Sequence, residues 1–153
     1  MRLRTGQGGS SGGKEKTPPP VCEPPILKKK RLIFIDDDRV SIMAGAGKVR
    51  QFCDVPDSIP VVTSLKAAQD LVDKYQPDIV VSDKLFDDQN PNACYELLRY
   101  IKAWYPKTKV VLCSGTLAIE DEYRGGPAGD YDAVVAKGSP DFLPVIMQLS
   151  GTA

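Results

Sequence analysis

The chain has 153 residues, 42% hydrophobic and 26% charged, which suits one globular domain whose core stands without disulfide or metal staples. Formal net charge is zero, but residues 1–30 carry seven basic and two acidic side chains and the remainder thirteen and eighteen, so a tail of +5 precedes a body of −5. An acidic body disfavours direct nucleic-acid binding, and the absence of any histidine or C-x-x-C pair removes most zinc sites and every His-based triad.

Residues 1–30 hold Gly6, Gly8, Gly9, Gly12 and Gly13, then Pro18–Pro20 and Pro24–Pro25, with few large apolar residues. Such a segment buries too little surface to offset its ordering entropy and reads as a disordered tail or interdomain linker. The start has no apolar core of a secretory signal, no run of about 18 apolar residues follows, and the scattered Cys22, Cys53, Cys94 and Cys113 read as thiols. The expected location is cytoplasmic, with no membrane span.

From Arg31 the pattern changes. Leu32-Ile33-Phe34-Ile35 is a short apolar run that ends in Asp36-Asp37-Asp38. A helix is expected near 39–52, weakened by Gly45 and Gly47. A second apolar run covers Ile59–Thr63, and Leu65, Ala68, Leu71, Val72 and Tyr75 recur at helical spacing. The third run, Asp78–Asp83, precedes a helix over 93–104 marked by Leu97, Leu98, Ile101 and Trp104. Lys109–Ser114 and Ala133–Lys137 are the fourth and fifth runs, and Phe142, Val145, Ile146 and Leu149 mark a last helix over 140–149, started by Ser139 and Pro140. Runs that are apolar on both faces and alternate with helices predict a doubly wound five-stranded parallel sheet with helices on both faces. The globular domain is expected over 31–150.

In that architecture ligands sit at the carboxyl ends of the strands. Those ends read Asp36-Asp37, Asp83, Ser114-Gly115 and Lys137-Gly138. Three carboxylates on one rim require a cation, and an all-oxygen donor set with room for water suits Mg²⁺. A carboxylate can act as the nucleophile that forms an aspartyl-phosphate, with the lysine and the metal offsetting charge on the phosphoryl oxygens. Asp38 reads as a helix cap or a solvent-facing residue. Gly45-Ala46-Gly47-Lys48 fails the spacing of a phosphate-binding loop, since Ile42 and Val49 stand where Gly and Ser/Thr belong, and reads as a packing face. Cys113 reads as core rather than redox-active, and Trp104 and Tyr105 are expected to pack.

At these residues the sequence resembles the receiver domain of two-component response regulators. The resemblance covers about 31–150 and rests on Leu32–Asp37, Asp78–Asp83, Val110-Val111-Leu112-Cys113-Ser114-Gly115 and Val134-Val135-Ala136-Lys137, in that order. It implies the flavodoxin-like strand order 2-1-3-4-5. It also implies that Asp83 is the phosphoacceptor and that Asp36, Asp37, Asp83 and the backbone carbonyl of Leu85 hold Mg²⁺. Ser114 and Lys137 would then contact the phosphoryl group. The implied function is a phosphorelay switch charged by a histidine kinase or histidine phosphotransfer protein. Its only catalysis would be its own phosphorylation and dephosphorylation, and it would stand alone or form part of a hybrid kinase. The downstream protein partner is unspecified.

Departures from the family pattern support an alternative, a pseudo-receiver that acts as a phosphorylation-independent interaction domain. The loop Lys84–Asn92 is longer than usual and carries the extra acids Asp87 and Asp88. Gly138 replaces the usual proline, Val134 replaces the usual aromatic, and 116–130 has room for only a short helix. Phosphorylation is therefore expected to be felt in 84–92 and 115–130 rather than at Val134, whose β-branched side chain is stiff.

Overall fold

The computed structural model describes residues 28–115 and 130–151. Of the tail read over 1–30, residues 1–27, Cys22 among them, lie outside the described residues, while Lys30 already belongs to the first strand; of the 116–130 segment where a short helix is expected, 116–129 lie outside them as well.

The described elements run β1 (Lys30–Ile35), α1 (Arg39–Val49), β2 (Cys53–Asp54), α2 (Leu65–Tyr75), β3 (Ile79–Asp83), α3 (Ala93–Trp104), β4 (Lys109–Ser114), β5 (Ala133–Ala136) and α4 (Phe142–Ser150). The strands form one sheet in the order β2-β1-β3-β4-β5, with every pairing parallel. This is the doubly wound five-stranded sheet that the alternation of strands and helices implies, in the flavodoxin-like order that the resemblance implies. Ile79, Val80, Val81 and Ser82 of β3 are all buried, as a central parallel strand covered by helices on both faces requires.

Two apolar layers sandwich the sheet. Ile33, Ile35 and Val80 pack beneath α2 and α3 with Leu71, Leu97 and Ile101. Leu32, Phe34 and Val81 pack on the opposite face with Ile42 and Val49 of α1 and Ile146 of α4. Each fully buried Leu, Ile or Phe contributes roughly 1.5–3 kcal/mol relative to exposure, so these layers hold the strands in place. Aspartates fix the amino ends of the strands. Asp78, just before β3, accepts the Arg31 N–H at 2.8 Å, and Asp132, just before β5, accepts the Val110 N–H at 2.7 Å and the Lys102 ammonium at 2.9 Å.

Helix ends follow their local chemistry. Asp38 caps α1 by accepting the Val40 N–H, and Ser64 caps α2 by accepting the Ala67 N–H. Gln76 ends α2 with a left-handed φ of 44°, and Pro77 after it cannot continue the helix. The last helix begins at Phe142, with the Ser139 hydroxyl accepting the Asp141 N–H at 3.1 Å.

Two expectations need correction. The second strand is Cys53–Asp54 and not Ile59–Thr63. Pro60 has no N–H to place in a ladder, so the 59–63 segment stays irregular and makes a single strand-like bond from Val62 N–H to the carbonyl of Asp36 at 2.8 Å. Ile59 and Val62 are still buried, which is why the run is apolar. Trp104 does not pack inward: it is 70% exposed, and Tyr105 takes the contact with the core instead.

Gly45 and Gly47 differ in kind. A Cβ at Gly45 would lie 2.6 Å from the Phe34 ring, whereas a Cβ at Gly47 would meet nothing within 4 Å. Gly45→Ala should lower stability by about 1 kcal/mol because the buried ring must move. Gly47→Ala should raise it by about 0.5–1 kcal/mol through helix propensity alone. Urea denaturation of the two variants checks the opposite signs.

Candidate functional site

The register of the sheet assembles the site. Ile35 pairs with Ser82, so Asp36 and Asp83 are the next residues on neighbouring strands. Asp83 pairs with Cys113 and Ser114 with Ala136, which leaves Ser114 one step beyond Asp83 and Lys137 one step beyond Ser114. Residues far apart in sequence therefore meet at one rim without any special loop geometry.

Asp36 is 6% exposed. One of its oxygens accepts the Asp38 N–H at 2.9 Å, and the other lies 3.0 Å from the Lys137 ammonium. The same ammonium stands 3.4 Å from Asp83. Asp37 is on the solvent side, and one oxygen from each of Asp36, Asp37 and Asp83 lies within 4.8 Å of the others. Ser114 is fully buried at the end of β4.

The titration behaviour reflects crowding of like charge. Burial and then the neighbouring Asp36 charge raise the Asp83 carboxyl above its ordinary value, although Lys137 pulls the other way. Asp37 is also raised, by burial and then by Asp36. Burial pulls the Lys137 ammonium down, but its hydrogen bond to Asp36 and the charges of Asp83 and Asp36 more than reverse this, so the net shift is upward. Three carboxylates share one ammonium, which leaves two negative charges for a divalent ion to neutralise. The donors are hard oxygens, with Asp36 buried and Asp37 open to water. This fits an ion that keeps several water ligands, as Mg²⁺ does.

A cavity of about 150 Å³ adjoins the site under α1. It is lined by Phe34, Gly45, Lys48, Asp83, Cys113 and Lys137 among others. Burial pushes the Cys113 thiol up to about 11, which agrees with reading it as core rather than as a reactive thiol.

Asp36, Asp37, Asp83, Ser114 and Lys137 are thus brought to one rim, and Leu85 lies two residues beyond Asp83 with its side chain 52% exposed. Sequence reasoning missed Asp87. This residue is 9% exposed and accepts both the Leu65 N–H at the start of α2, at 3.0 Å, and the Gln89 N–H, at 2.9 Å. With buried Phe86 beside it, Asp87 anchors the loop that carries Leu85. The available signal was the Asp87-x-Gln89 spacing of an aspartate turn closing on the residue two further on.

The sequence matches no family model and no curated protein. Several solved structures are similar. The BeF3-activated receiver domain of DrrB aligns at 23% identity with a TM-score of 0.61, over 79% of this chain and 97% of that one. The signal receiver domain of NarL from Mycobacterium tuberculosis aligns at 14% identity and a TM-score of 0.63, over 83% and 100%. The signal receiver domain of an HD domain-containing protein from Pseudomonas fluorescens aligns at 15% identity and a TM-score of 0.67, over 86% and 93%. The chain has the receiver-domain fold. Within that fold, Gly138 adopts a φ of +75°, which a proline cannot adopt.

The charge balance has a measurable consequence. Asp83 holds its proton more readily in the folded chain than in the unfolded one, so its ionisation weakens the fold as pH rises through the carboxylate range, and the cost persists at neutral pH. Without divalent ions at neutral pH, Asp83→Asn should stabilise the domain by roughly 1 kcal/mol. Asp87→Ala should destabilise it by about 1–2 kcal/mol through loss of its bonds to the Leu65 and Gln89 N–H groups. Thermal melts in a chelating buffer read both.

Proposed function

We propose that this domain is a phosphoryl-accepting switch of a two-component phosphorelay, charged on Asp83 by a histidine kinase or histidine phosphotransfer protein with Mg²⁺ at Asp36, Asp37, Asp83 and the Leu85 carbonyl. The observation that carries the reading is the pair of strand-end carboxylates, Asp36 and Asp83, bridged by Lys137 with Asp37 beside them. That arrangement has little structural purpose, because it concentrates like charge at a buried rim.

The chemistry follows from the residues. An Asp83 carboxylate oxygen attacks phosphorus, an O–P bond forms, the N–P bond to the donor imidazole breaks, and the imidazole nitrogen retains the bonding pair. Lys137 already lies within 3.4 Å of Asp83, where it can meet a phosphoryl oxygen. The buried hydroxyl of Ser114 supplies a hydrogen-bond partner one step along the rim. When bound, Mg²⁺ supplies charge neutralisation for the oxygens of the transferring group. Exposed apolar residues flank the acids: Val40 is 75% and Met43 66% exposed on α1, and Leu85 52% exposed after β3. They suit a helical partner that presents its histidine to the rim. No helix among the described residues is long and apolar enough to cross a membrane.

A second reading is a domain of the same fold that binds partners without phosphate. Gly138 at φ +75° favours it, since a proline, the residue usual at this position in receiver domains, cannot adopt that φ.

Labelling separates the two. Acetyl phosphate with Mg²⁺ should give a hydroxylamine-labile adduct on the wild type and none on Asp83→Asn; undiminished labelling of the variant rejects the assignment. Millimolar Mg²⁺ should raise the melting temperature of the wild type but not of Asp37→Ala. Met43→Lys should leave acetyl phosphate labelling unchanged while slowing transfer from a phosphorylated histidine donor about tenfold, the effect of losing about 1.4 kcal/mol of docking energy.

A further inference from the structure

The α2–α3 seam carries a feature that the acid site does not use. Asp73 on α2 accepts the Tyr100 hydroxyl at 2.7 Å and the Tyr105 hydroxyl at 2.7 Å. These bonds lower the Asp73 carboxyl, that from Tyr105 most, and push the Tyr100 phenol up to about 12. One carboxylate therefore fixes two phenol rings. Trp104 lies beside Tyr100 with ring centroids 6.5 Å apart and an interplanar angle of 49°. Its indole is 70% exposed, the largest exposed aromatic surface among the described residues. The result is a preset aromatic ledge edged by the acids Asp70 and Asp73.

The ledge lies at the end of the sheet opposite the acid site, and the amino-terminal segment enters the domain there. Arg31 in β1 donates its guanidinium to the carbonyl of Gln76 at 2.5 Å. Thr108 donates its hydroxyl to the carbonyl of Pro77 at 2.8 Å and its N–H to the carbonyl of Tyr105 at 2.9 Å. This bonded path runs from the entry of β1 to the ledge. The 27 residues before Lys28 contain Thr17-Pro18-Pro19-Pro20-Val21-Cys22-Glu23-Pro24-Pro25, with Lys14 and Lys16 before it and Lys28–Lys30 after it. At about 3.3 Å per extended residue, the eight residues from Pro18 to Pro25 can span about 26 Å.

We propose that the aromatic ledge formed by Tyr100, Trp104 and Tyr105 is a docking site for the chain's own proline-rich segment, Thr17–Pro25. Proline-rich segments recognise aromatic surfaces because their rings stack on flat faces and their restricted backbone loses little entropy on binding. The flanking lysines complement the Asp73 carboxylate, Asp70 being ion-paired with Lys66 at 2.6 Å. Tethering sets an effective concentration of millimolar order, so a contact too weak to be useful between molecules is populated within one. The amino-terminal segment is thereby a reporter or regulator attached to the α2–α3 face, independent of the acid rim.

Trp104 is the chain's single tryptophan, so its fluorescence reads the contact directly. Acrylamide quenching of the full-length chain is compared with that of a full-length variant in which Pro18, Pro19, Pro20, Pro24 and Pro25 are all serine. The quenching constant should be about twofold higher in the variant, as expected where roughly half the molecules are docked, and this difference should not change on dilution. A synthetic peptide of residues 14–30, titrated into the variant at millimolar concentrations, should restore protection. Equal quenching of the two chains, or no protection by the peptide, overturns the proposal. A difference that fades on dilution places the segment on a second copy and overturns the intrachain contact.

Discussion

The ammonium of Lys137 stands between Asp36 and Asp83, and the rim of the sheet depends on that one positive charge. Burying two carboxylates side by side at the ends of neighbouring strands would force them apart or keep one protonated. With Lys137 fixed by the end of β5, both remain at the rim, and Asp37 is added on the solvent side. The arrangement is stable enough to persist yet still two negative charges short of neutrality. A divalent cation at the rim would offset that excess of negative charge.

The remainder of the domain holds this charge group to its geometry. Parallel register sets the heights of Asp36, Asp83, Ser114 and Lys137 relative to one another, and the two apolar layers resist any slip that would unsettle them. Asp87 ties the loop beyond Asp83 to the start of α2, so the extra length of that loop is braced instead of hanging free. Gly138 gives the segment after Lys137 a backbone turn that a proline would forbid.

Much of this was legible in the sequence, for identifiable reasons. β3, β4 and α3 were readable because each is a long apolar pattern bounded by polar residues, and the acids and the lysine were readable because they end such runs. β2 was not, because two paired residues leave no periodicity and the stronger apolar run at 59–63 is buried without forming a ladder. Trp104 continued the apolar stripe of Leu97 and Ile101 but lies at the last residue of its helix, where Tyr105 turns inward in its place. Asp87 looked like surplus loop charge, since nothing local announces that a carboxylate will cap a helix 22 residues earlier in the chain.

Strand β1 also sorts the traffic of the domain. It is six residues long, so its ends lie about 20 Å apart with the sheet between them. Asp36 follows one end, and Lys28 and Lys29 lead into the other. The strand works as a spacer that keeps the acid rim a full sheet length from the point where the described chain enters the sheet.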